Sequence, residues 1–153
     1  MVEHVWSVLC TRSIVDQRTN NASLLEVLEQ ITILEPIPAN MQQVALAFPF
    51  ELVSLWQRSN YDQPARGEGR IRIEMASGLH NLPQFQIDIT GAGIHRMRTM
   101  IRMNGLPFNG LGVYKFVVEL KDDSVEEWKR VATIPLELRQ GIPQTSEGQQ
   151  GTI

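Results

Sequence analysis

Arginines are the residues whose type and spacing could do chemistry here. Arg70 and Arg72 stand two apart, and Arg96, Arg98 and Arg102 fall at even spacings. In extended backbone successive side chains alternate between faces, so each group shares one face of its strand. A guanidinium presents a rigid fork of donors that matches a carboxylate or a phosphate. If the two strands are neighbours, all these groups crowd one sheet surface, and the chemistry is binding of a small anion or an acidic partner. The plainer reading is an ordinary outer face, with Glu74 and Asp88 pairing across strands for a fraction of a kcal/mol each.

A second candidate lies in the polar run SIVDQRTNNA over 13–22. Asp16, Thr19, Asn20 and Asn21 offer many hydrogen-bonding groups on a loop between two strands, where binding residues often sit. The same residue types also turn a chain by Asx geometry and nothing more.

Other reactive types lack the company they need. His4, His80 and His95 have no metal-type spacing with one another or with Cys10, so no metal site is expected. Cys10 lies on an apolar strand face and reads as a buried, inert thiol. There is no Gly-x-Ser-x-Gly elbow and no phosphate-cradling glycine loop. Gly67-Glu68-Gly69 and Gly91-Ala92-Gly93 read as turns. Asp122, Asp123, Glu126 and Glu127 cluster between two strands. Such carboxylates hold calcium when a second loop joins them, and otherwise form a solvated turn. No catalytic residue and no cofactor is expected.

The elements that must position these residues are strands. From Val113 to Leu120, Tyr114, Phe116, Val118 and Leu120 alternate with Val113, Lys115, Val117 and Glu119. That is a half-buried strand. After a polar turn, Trp128 to Ile134 alternates again, and Pro135 should end the strand or place it at an edge. Gly110 ahead of Tyr114 suits a tyrosine corner, whose hydroxyl bonds nearby backbone; the alternative is a plain core aromatic. Val2 to Arg12 reads as a central strand, with Val2, His4, Trp6, Val8 and Cys10 on one face. Ser23 to Leu34 carries a helix capping box, yet it alternates, ends in β-branched residues and stops at Pro36; it is assigned to strand. Val44 to Arg58 reads as one strand with a bulge or crossing at Pro49. Arg70 to Met75, Phe85 to Ile89 and Met97 to Met103 alternate cleanly.

These add up to about eight or nine strands, which describes an all-β, two-sheet antiparallel β-sandwich of Ig-like or jelly-roll Greek-key type. The expected domain is 1–139, with a tail over 140–153 that has little to bury. A chain of 153 residues with 42% apolar content suffices for one core. A net charge of -3 argues against nucleic-acid or membrane-surface binding. No apolar run is long enough for a membrane helix, no secretory signal opens the chain, and a single cysteine allows no internal disulfide, so a cytoplasmic location is expected.

Val5-Trp6-Ser7-Val8-Leu9-Cys10, Asp16, Thr19-Asn20-Asn21 and Ser23 to Ile31 resemble the opening of a small bacterial family without an assigned activity. Gly112 to Phe116 and Ile134-Pro135-Leu136 are similar to its closing hairpin. The resemblance covers residues 2 to 138 and implies a small all-β domain with no catalytic residue. The functional expectation is a non-enzymatic module that binds a protein partner or a small anionic ligand. The alternatives are a structural subunit that assembles with itself through sheet edges, and a hydrolase using loop carboxylates.

Overall fold

The computed structural model describes residues 1–37 and 44–142. Within them the chain forms twelve strands: β1 (Val2–Val15), β2 (Ala22–Val27), β3 (Gln30–Ile33), β4 (Val44–Leu46), β5 (Phe50–Arg58), β6 (Ala65–Met75), β7 (Gly78–Asn81), β8 (Phe85–Ile89), β9 (Arg96–Met103), β10 (Leu106–Phe108), β11 (Gly112–Asp122) and β12 (Lys129–Gln140). They build an open all-β sandwich. One sheet has the order β2-β1-β5-β9. The other has the order β3-β12-β11-β6-β7, with β8 also paired to β6. A small β10-β4 ribbon accompanies them.

The strand count exceeds the expected one because two long alternating runs change partners midway, and because the short strands β7 and β10 lie outside the expected runs. The 23–34 run breaks at Leu28-Glu29. β2 stays with β1, whereas β3 crosses to the other sheet and pairs with β12 in parallel, an exception to the antiparallel expectation. The 44–58 run crosses around Pro49, from the ribbon into the four-stranded sheet.

The core is made by the inward rows. Leu9, Phe50, Leu52, Trp56 and Met103 meet Ile71, Ile73, Tyr114, Phe116, Val118, Leu136 and Leu138, all buried. Phe50 and Phe116 meet edge to face with ring centroids 5.8 Å apart, a favourable quadrupole geometry. Tyr114 fills both roles considered for it. Its ring is buried, its hydroxyl donates to the Gly110 carbonyl at 2.7 Å, and it accepts from the Asn109 N–H at 2.8 Å.

Three local expectations need correction and one is narrowed. A bulge between His4 and Trp6 divides the first strand, so Val2 and His4 point inward with Ser7 and Leu9, while Trp6, Val8 and Cys10 point outward. Inside, His4 Nε2 and Ser54 Oγ each lie 2.7 Å from Ser7 Oγ, which satisfies three polar groups within the sandwich. Second, Pro135 does not end β12, and of the two expected outcomes the edge holds: it sits opposite Lys115, pairing with β3 begins only at Glu137, and its missing N–H falls where β12 has no second neighbour. Third, Gly67 and Gly69 lie within β6 rather than in a turn. A Cβ on Gly69 would stand 2.2 Å from the Phe85 ring, so the aromatic ring lies directly on the glycine backbone. Fourth, Asp122 is not part of a solvated turn. It is buried, and its carboxylate accepts the Val2 N–H at 2.6 Å and the Ser124 N–H at 3.0 Å, which ties the first strand to β11. Burial works against its charge, but the Ser124 hydroxyl, these N–H groups and the terminal ammonium outweigh it, and its pKa lies below the ordinary value.

Of the expected tail, Gln140 and Gly141 are bonded to the Ile33 carbonyl, and residues 143–153 lie outside the described residues. Pro36 and Pro38 favour a rigid extended connection over 36–40, which lies outside the described residues from Pro38 onward.

Candidate functional site

The arginine rows do not meet. Arg70 and Arg72 stand on β6 in one sheet, and Arg96, Arg98 and Arg102 stand on β9 in the other. Alternation fixes which face a side chain takes, but not which sheet its strand joins.

Arg70 and Arg72 are already engaged. Both close on Glu119 of β11, at 2.5 Å from Arg70 Nε and 2.6 Å from Arg72 Nη2. Burial opposes the Glu119 charge, but the two guanidinium groups outweigh it and hold its carboxyl below the usual range. Arg70 also lies over the Trp128 ring, 4.2 Å from its centroid. Glu68 with Lys121 and Glu74 with Arg130 extend the same pattern across the outer face of this sheet. Asp88 pairs with Arg66. Arg70 and Arg72 thus pair with Glu119, an acid the sequence reading did not name as their partner, while Glu74 and Asp88 take Arg130 and Arg66.

The outer face of the four-stranded sheet is different. Among the described residues, Arg96, Arg98 and Arg102 have no carboxylate within salt-bridge distance. Glu51, the register partner of Arg102, is occupied elsewhere: its carboxylate accepts from the Ser13 N–H at 2.9 Å and from the Ser13 hydroxyl. That pair draws the far half of β1 across the sheet. The β1–β2 hairpin therefore folds over the outer face, which explains why Val53 and Cys10 are fully buried there. Burial, then the nearby Glu51 charge, pushes the Cys10 thiol pKa up, away from nucleophilic use.

The hairpin tip comes down on Arg98. Asp16 shapes the tip: its Oδ1 accepts the N–H groups of Arg18 and Thr19, each at 2.8 Å. Those two bonds, Thr19's first, lower its pKa. Asn20 takes the left-handed conformation at φ 56°, which asparagine tolerates better than most residues. Its carbonyl accepts from Arg98 Nη2 at 3.0 Å. The two sequence candidates, 78 positions apart, thus meet. Between tip and sheet lies a cleft of about 800 Å³ lined by Trp6, Leu55, Arg96, Arg98, Met100 and the tip residues Thr19, Asn20 and Asn21 among others. That volume is in the range of small-molecule sites. Arg98 Nε is buried and has no acceptor among the described residues. Arg102 shares the face but does not line the cleft, and Asp16 supports the tip from outside it.

Trp6, Leu55 and Met100 were not singled out from the sequence. The available signal was that β5 is apolar on both faces, through Leu52, Val53, Leu55 and Trp56. A strand of that kind must be covered on both sides. Among the described residues, no cluster of three or more His, Cys, Asp or Glu is placed to hold a metal ion. Asp123 and Glu126 line a surface depression with Glu68 and Lys121.

No family model and no curated protein matches the chain. Among solved structures, the N-terminal domain of PorA aligns at 11% identity over 88% of this chain and 97% of that one, with a TM-score of 0.26. A likeness that loose carries no weight for function. Among the described residues, no helix is long and apolar enough to cross a membrane.

Proposed function

We propose that this protein is a non-enzymatic binding module whose cleft, between the β1–β2 hairpin and the four-stranded sheet, takes an anionic ligand. The observation that carries this reading is the contrast between the two outer faces. The cations Arg66, Arg70, Arg72, Lys121 and Arg130 on or beside the six-stranded sheet pair with carboxylates, while Arg96 and Arg98 line a cleft and have no carboxylate within salt-bridge distance among the described residues. Guanidinium groups with no carboxylate partner favour an incoming acid, because their fork of donors matches its oxygens and the pairing is charge-assisted. A cytoplasmic setting accords with one fully buried, unpaired thiol.

The test is thermal unfolding with and without inorganic phosphate or citrate. A ligand of the folded state raises Tm by mass action. The wild-type chain should gain several degrees at millimolar anion, and Arg96→Gln/Arg98→Gln should gain none. Equal gains in both would remove the cleft from consideration.

A second reading, self-assembly through a sheet edge, is favoured by Val27 on the edge strand β2 and by Val113, which lines an apolar cleft with it. Both are more than half exposed, and this cleft lies where the chain crosses between sheets. Light scattering decides it: a multimer that Val27→Lys dissociates supports assembly, and a monomer at all concentrations ends it.

A further inference from the structure

We infer that the cleft selects an amphipathic anion, a small molecule with an aromatic ring at one end and a carboxylate or phosphate at the other. The inference rests on the anion-binding reading above. Trp6, Leu55 and Arg98 form one row across the sheet, since Trp6 pairs with Leu55 and Leu55 with Arg98. All three line the cleft. Two strand spacings of about 4.8 Å separate the outer members by roughly 10 Å along the floor. An indole thus stands at one end of the row, a guanidinium at the other, and a leucine between.

That order matches a ligand whose ring rests on Trp6 and Leu55 while its acid reaches Arg98. Arg98 keeps one donor on the Asn20 carbonyl, and its buried Nε–H has no acceptor. An acid oxygen seated on the remaining Nη donors forms a charge-assisted hydrogen bond, stronger than one between neutral groups. Arg96, two residues along on the same face, lies about 7 Å away at the backbone and adds charge without a fixed partner. The Thr19, Asn20 and Asn21 side chains at the tip supply neutral hydrogen-bonding groups to the ligand's middle. A long acidic peptide fits less well, because the hairpin tip is pinned to Arg98 and closes over the row.

Calorimetric titration tests this with indole-3-acetate and phenyl phosphate as probes, acetate and inorganic phosphate as ringless controls, and hexaglutamate as the peptide. The aromatic anions should bind at least ten-fold tighter than their ringless counterparts. Trp6→Ala should remove that difference by weakening the aromatic anions toward their ringless counterparts; Arg98→Gln should weaken both classes. Trp6→Leu, which keeps apolar bulk in place, repeats the ring test if the alanine variant does not fold by circular dichroism. If the ringless anions bind as tightly as the aromatic ones, or hexaglutamate binds tightest, this inference falls while the anion cleft stands. If no anion binds, both fall.

Discussion

Replacing Tyr114 with phenylalanine removes one oxygen and keeps the buried ring. The lost hydroxyl makes two hydrogen bonds, from Asn109 N–H and to Gly110 C=O. A typical intramolecular hydrogen bond contributes about 1 kcal/mol net, so the two together are worth about 2 kcal/mol. Gly110 is exposed and Asn109 only half-buried, so water can recover part of this in the variant. The expected loss is therefore about 1–2 kcal/mol, or roughly 2–8 °C in Tm for a domain of this size. Urea unfolding followed by circular dichroism measures it, with an unchanged m-value showing that the same surface is exposed. Tyr61→Phe serves as the control, because that side chain is 59% exposed, and it should change stability by less than about 0.5 kcal/mol. A Tyr114→Phe effect no larger than the control's would refute the corner as a stabilising device.

Asp122 and Glu119 have folded pKa values below their ordinary ones, so each contributes stability that is complete above the unfolded value near 4 and lost as pH falls through the lowered folded value. Stability measured from pH 6 down to pH 2 should decline through this window, and Asp122→Asn should flatten the decline; an unchanged slope would contradict the tie to Val2. Gly69→Ala should cost about 1–3 kcal/mol, since the Phe85 ring must move off the backbone, and Phe85→Ala should absorb most of that cost in a double-mutant cycle. Additive effects would show that the ring is not what fixes the glycine. Cys10 should resist a thiol reagent in the folded protein and react fully in denaturant, because the side chain is 0% exposed; rapid native labelling would mean that the hairpin does not cover it.

The sandwich was legible because its signal is local. Tyr114, Phe116, Val118 and Leu120 announce their face within one strand, and all four are buried. Interruptions were less legible. The bulge after His4 leaves no mark in a run apolar on both faces, and Pro135 leaves an end and an edge equally open until the start of β3 pairing at Glu137 is known. The sheet to which each arginine row belongs was beyond reach, since strand order is set by packing between distant segments. The cleft was half legible: Arg98 and Asn20 were each singled out, but their meeting depends on the Ser13–Glu51 contact, which bends the hairpin across residues far apart in sequence.

The most direct test of the binding cleft is a residue-resolved NMR titration with phenyl phosphate. The cleft predicts saturable shifts at the amides of Asn20, Asn21 and Arg98 and at the Trp6 indole N–H, all abolished by Arg98→Gln. Shifts centred instead on Arg70 and Arg72, or none at millimolar ligand, would contradict it.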